Sequence, residues 1–66
     1  MQYGDAIKQQ RIAMGKSITE VARETNILHQ NLSRWERNQA EPSIGACVKL
    51  AKYYGITIEE LIGVDL

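Results

Sequence analysis

The stretch "NILHQNLSRWERN", residues 26–38, holds the side chains whose types and spacing could do chemistry. Wound as a helix at about 100° per residue, His29, Gln30, Ser33, Arg34 and Arg37 fall within one arc of about 140°, with Leu28, Leu32 and Trp35 on an apolar stripe behind it. The arc displays hydrogen-bonding groups and two arginines, and no acid. Gln pairs bidentately with adenine, Arg with guanine, and Ser or His with several base edges, so this is a set that direct reading of DNA in the major groove uses. A polar, solvated face is the competing reading, although such faces are mostly Glu and Lys. Spacing alone leaves both open.

Other chemistries find little to work with. Cys47 is the only cysteine and His29 the only histidine, so neither a disulfide nor a zinc-spaced ligand set is available. Glu59 and Glu60 are neighbours in sequence and point in different directions on a helix, which argues against an acid/base pair. There is no nucleophile triad spacing and no phosphate-binding glycine loop. We therefore expect no catalytic residue, no metal, no cofactor and no small-molecule ligand. Cys47 and Trp35 read as core residues.

The elements that must position the arc are helical. At 66 residues the chain is read as one domain, residues 1–66, near the size at which a core needs a staple or a partner chain. No run alternates long enough for a strand. Helix 1, about 3–14, places Tyr3, Ile7, Arg11 and Met14 on one stripe and ends near Gly15. "SITE" opens helix 2 as a capping box, Ser17 with Glu20, ahead of Ile18, Val21, Ala22 and Thr25 on the inward face. Asn26 suits a left-handed stop. After the third helix, "QAEPS" is a loop in which Ser43 caps a fourth helix, about 44–54, burying Ile44, Cys47, Leu50, Ala51 and Tyr54. Gly55 stops it, and Thr57 with Glu60 boxes a short fifth helix with Ile58, Leu61 and Ile62 inward. Helices 2 and 3 stand at the spacing of a helix-turn-helix, in which the second helix is presented outward.

In order and spacing, "IKQQRIAMG", "ITEVARETNI", "LSRWERN", "PS" and "LAKYYGITIEELI" resemble the phage-repressor-like (XRE/Cro-type) helix-turn-helix family over nearly the whole chain. The resemblance implies an all-α, compact five-helix lambda-repressor-like DNA-binding domain whose third helix enters the major groove, usually as a homodimer on a palindromic operator. On that basis His29, Gln30, Ser33 and Arg34 are expected at base edges, and Arg37, Asn31, Gln39 and Ser17 at phosphates. Asn31 is also placed to bond back to the Leu28 amide. The family further pairs the positions of Arg11 and Glu36, which would satisfy a charge on helix 1's apolar stripe and lock helix 1 to helix 3. Three positions depart from the family pattern. Ile18 stands where Gln often touches a phosphate, Leu28 where Ser or Thr often caps helix 3, and Asn38 where Gly usually follows it.

Formal charge is zero, but residues 1–54 carry eight basic and five acidic groups, net +3, and residues 55–66 carry three acids and no base. A polyanion would meet the first part and avoid the tail. Val64 and Leu66, beyond the last core stripe, are expected at a dimer contact. The expected partners are double-stranded DNA and a second copy, with no membrane; the expected location is the cytoplasm, at the nucleoid. The function expected is that of a repressor-like transcriptional regulator. The alternative is a protein-interaction or antitoxin-type module on the same fold, kept open by the neutral charge, Ile18 and Leu28.

Overall fold

Residues 3–64 are described by a computed structural model of the chain. They form α1 (Tyr3–Ala13), α2 (Ile18–Thr25), α3 (His29–Glu36), α4 (Ile44–Tyr54) and α5 (Ile58–Ile62), with no strand among the described residues. Among the described residues no helix is long and apolar enough to cross a membrane. Leu66, one of the two expected dimer residues, lies outside the described residues.

The ends of the helices follow from local chemistry. Ser17 accepts from the Glu20 amide at 3.1 Å while the Glu20 carboxylate accepts from the Ser17 amide at 3.0 Å, so two donors left over at the start of α2 are satisfied reciprocally. Thr57 and Glu60 do the same for α5, and the Ser43 hydroxyl accepts from the Ala46 amide at the start of α4. Asn26 closes α2 at φ 59° and Gly55 closes α4 at φ 71°, both left-handed.

Each helix contributes one side chain wholly withdrawn from solvent: Ile7, Val21, Leu32, Leu50 and Leu61. Burying an aliphatic side chain of this kind stabilises the fold by roughly 1.5–3 kcal/mol, so the core depends on all five helices being present together. Ala22, Trp35 and Ala51 complete it. The one buried hydroxyl on α2, Thr25, donates to the Val21 carbonyl at 2.6 Å.

Four residues expected on inward stripes are exposed instead: Met14 (44%), Leu28 (69%), Ile44 (83%) and Ile58 (38%). All four sit at or just beyond a helix end, where a helical period no longer dictates direction. Leu28 is extended at φ −61° and ψ 131°, and Ile27 takes the inward place beside the core. Ile44 and Ile58 are the first residues of their helices, on turns that have only just begun to face the body.

Candidate nucleic-acid interface

The arc on α3 is presented by a helix whose inner face is anchored through Leu32 and Trp35. His29, Gln30, Arg34 and Arg37 are exposed, and Ser33 is half-buried at the edge toward α1. The first turn of α3 contains no acid. The Arg37 Nε donates to the Ser33 carbonyl at 3.3 Å, folding that side chain back along the helix.

The flanking polar residues are arranged less uniformly. Asn31 is half-buried, and the hydrogen bonds of the described residues include none from it to the Leu28 amide, so α3 starts without a side-chain cap. Leu28 has no polar atom in its side chain with which to supply one. Gln39 is exposed, and its amide donates to the Arg34 carbonyl at 2.9 Å. Ser17 is exposed too, and its hydroxyl accepts from the Glu20 amide. Val64 is exposed beside a cavity of about 320 Å³ also lined by Tyr3, Pro42 and Cys47.

Arg11 and Glu36 meet. The Arg11 Nε lies 2.9 Å from Glu36 Oε2 and 3.1 Å from Oε1, and Nη2 lies 3.0 Å from Oε1. Nη1 donates to the Lys16 carbonyl at 2.9 Å, so one guanidinium joins α1, the α1–α2 turn and α3. Their side chains are only 13% and 3% exposed. The hydrogen bonds from Glu36 hold the Arg11 pKa above its ordinary value, against the opposing effect of burial. A forked, nearly dry pair of this kind fixes orientation, because neither group has an equally good partner elsewhere.

A second clamp joins the start of α1 to the segment just after α3 and was not legible in the sequence. The Gly4 amide donates to Asn38 Oδ1 at 2.9 Å, and the Tyr3 hydroxyl donates to the Ala40 carbonyl at 2.8 Å. Asn38 is left-handed at φ 60°, which aims its side chain at one of the donors left over at the start of α1. The approach is close: a Cβ on Gly4 would collide with the Trp35 carbonyl oxygen. A glycine in the first turn of an otherwise ordinary helix was the only signal.

A third cluster sits away from the arc. Glu24 Oε1 accepts from Lys16 Nζ and from the Tyr53 hydroxyl, each at 2.6 Å, and the ammonium lies 5.6 Å from the Tyr53 ring centre. It ties the α1–α2 turn, α2 and α4 together. The Tyr54 hydroxyl is buried with no hydrogen-bond partner among the described residues, and burial pushes its pKa up to about 12. Burial also raises the Cys47 thiol, which disfavours the thiolate a nucleophile needs. Among the described residues no three His, Cys, Asp or Glu side chains converge as a metal site would require.

A pair of short helices joined by a tight turn, the second carrying an exposed polar arc and packed in a bundle with three more, defines a class of protein. A helix-turn-helix family model matches residues 7–61, and the chain belongs to that family, in its XRE-type branch. It is also 32% identical over 65 residues to the HTH-type transcriptional regulator ImmR of Bacillus subtilis (strain 168). The match takes in 98% of this chain and 51% of that protein, so the chain spans about half the length of this relative.

Proposed function

We propose that the chain is a sequence-specific DNA-binding transcriptional regulator of the repressor-like kind, not an enzyme, and that α3 reads base edges in the major groove. The observation that carries this is the acid-free arc of His29, Gln30, Ser33, Arg34 and Arg37. An exposed helix face made of these groups matches the donors and acceptors of the groove. Likeness to a transcriptional regulator over nearly all of this chain supports the same reading. Residues 1–66 act as a single DNA-binding domain. His29, Gln30, Ser33 and Arg34 meet bases, and Arg37, Asn31, Gln39 and Ser17 meet phosphates. Such a protein works on the nucleoid, in the cytoplasm.

One helix in one groove reads too few base pairs to select an operator, so two copies bind a palindrome with half-sites about 34–36 Å apart. The contact lies at the end of α5, through Val64 and Leu66. Leu28, 69% exposed beside the arc, favours a second reading, in which the same face docks on a protein through an aliphatic anchor.

Selection of bound sequences from a random DNA pool, followed by titration of the winner, separates the two. Gln30→Ala and Arg34→Ala are each expected to weaken binding by about 1–3 kcal/mol and to relax preference at one base pair per half-site. Arg37→Ala is expected to weaken all sequences alike. A selected palindrome bound by two chains fits the dimer; a single half-site bound by one chain with full specificity removes it. If no sequence is enriched, or if the Gln30 and Arg34 variants keep full affinity and preference, α3 is not the reader.

A further inference from the structure

Between α1, the start of α2 and α3 lies an open cleft of about 230 Å³, lined by Lys8, Arg11, Ile18, Ser33, Glu36 and Arg37. Its floor is electrically settled, because both Glu36 oxygens accept from Arg11. Its rim is not. The ion pairs of the described residues are Arg11 with Glu36 and Lys16 with Glu24, so Lys8 and Arg37 bring two positive charges to the cleft and neither is held in an ion pair among the described residues. Both are exposed. Ile18 lines the cleft between them, half-buried and unable to hydrogen-bond. The geometry is that of an anion seat with a neutral floor, a partly apolar wall and two cationic arms.

The anion is identified by what shares the cleft. Ser33 and Arg37 belong both to this lining and to the arc on α3. A duplex laid along the arc therefore brings the sugar-phosphate strand bordering the groove over the same rim. We propose that Lys8 of α1 is a phosphate-binding residue, which with Arg37 grips one strand of the operator across this cleft. The inference rests on the DNA-reading role of α3 argued above. It assigns α1 a direct contact with DNA in addition to its place behind α3. The α5 side of α1 is different in character: Asp5, Ala6, Gln9, Gln10 and Glu60 line the cavity there, and its acids repel a phosphate. One helix thus turns a basic edge to the reading face and an acidic edge away from it.

A phosphate contact adds affinity without sequence information, and it releases condensed counterions on binding. The test is therefore a salt titration of the full chain on its selected sequence and on random duplex, comparing Lys8→Ala, Lys8→Arg and, as a control on exposed α4 surface, Lys49→Ala. Lys8→Ala is expected to flatten the slope of log K against log salt by about 0.9 and to weaken both duplexes by the same factor, with base preference intact. Lys8→Arg is expected to restore the slope, and Lys49→Ala to leave it unchanged. Thermal melting of each variant identifies any loss that comes from the fold. If Lys8→Ala leaves the slope unchanged while Gln30→Ala still alters base preference, α3 reads DNA and Lys8 does not touch it. A Lys8→Ala loss confined to the selected sequence overturns the proposal as well, since a phosphate contact cannot discriminate. If the parent chain binds neither duplex, the reading of α3 falls first.

Discussion

The two halves of the helix-turn-helix, α2 and α3, are each eight residues long, and they differ in where their ends are fixed. α2 is specified by its own neighbourhood. Ser17 and Glu20 box its start, and Asn26 stops it in the left-handed region with its amide on the Ala22 carbonyl. α3 starts at Leu28 with no side-chain cap, and the groups that hold it come from far away in sequence: Arg11 to Glu36, Gly4 to Asn38, Tyr3 to Ala40. The difference separates two tasks. A helix that serves as a brace needs to form; a helix that presents side chains to a partner needs to be aimed. Local caps determine whether a helix starts, whereas only contacts with another element set its direction. Here α1 does the aiming, at one end through a buried ion pair and at the other through a side-chain amide.

The largest break in that comparison is the ion pair. Removing one partner of a buried pair strands the other, at about 3–5 kcal/mol. The two single changes are not equivalent. Glu36 is the more buried partner, at 3% against 13% for the Arg11 side chain, and Arg11 keeps the Lys16 carbonyl when Glu36 is lost. Arg11→Met is therefore expected at the upper end of the range and Glu36→Met toward the lower. The double replacement is expected to lose much less than the two single losses together, because no charge is then stranded. Urea denaturation of the four proteins closes the cycle. Additive losses would show two groups that merely sit near each other, and α3 would then be aimed by packing alone.

A smaller change sharpens the comparison by giving α3 what α2 already has. Leu28 has the extended backbone of a cap residue and is 69% exposed, so its side chain contributes little buried surface. Leu28→Ser places an acceptor within reach of the Asn31 amide and is expected to raise stability by about 1 kcal/mol, while Ser17→Ala lowers it by a similar amount. Both are read as shifts of the urea midpoint at constant slope. A stabilising Leu28→Ser would mean that α3 tolerates local specification that its sequence lacks. No gain at Leu28 together with a clear loss at Ser17 would show that the start of α3 is already satisfied by other means.

The same division explains what could be read without coordinates. Features contained within three or four residues were legible: the boxes at Ser17 and Thr57 and the cap at Ser43 follow from side chains that reach their own backbone, and the stops at Asn26 and Gly55 from residue types that enter the left-handed region cheaply. So were the five wholly buried aliphatics, because they lie inside helices where the 3.6-residue rhythm holds. The rhythm failed at the edges, and Met14, Leu28, Ile44 and Ile58 were assigned to the core by extending a period past the element that generates it. Arg11 and Glu36 were matched through family resemblance, since 25 residues separate them and no local pattern links them. The Gly4–Asn38 bond and the Lys16–Glu24–Tyr53 cluster had no such help. They exist because of how the helices cross, and periodicity does not encode crossing.

The smallest expected effect lies at Asn38, where two opposing terms meet. The residue sits at φ 60°, a conformation that glycine adopts without strain and that other L-residues adopt at about 1–2 kcal/mol; Asn is the mildest case. In return its side chain accepts the Gly4 amide at 2.9 Å, a contact between an exposed residue and a buried one that contributes about 0.5–1.5 kcal/mol. Asn38→Gly relieves the first term and deletes the second, so its net effect is expected within about 0.5 kcal/mol of zero. Asn38→Ala deletes the hydrogen bond and worsens the strain, and is expected to lose about 2 kcal/mol. Both substitutions delete the amide and differ only in backbone freedom, so the difference between them isolates the strain, and the glycine effect then gives what the amide contributes. If Asn38→Gly is stabilising by as much as 1 kcal/mol, the bond to Gly4 contributes nothing and the aim of α3 rests on Arg11 and the Tyr3 hydroxyl. If Asn38→Gly loses as much as Asn38→Ala, the strain is negligible and the side-chain bond dominates. A near-zero glycine effect beside a clear alanine loss leaves both clamps in place, one electrostatic and one built on a single amide.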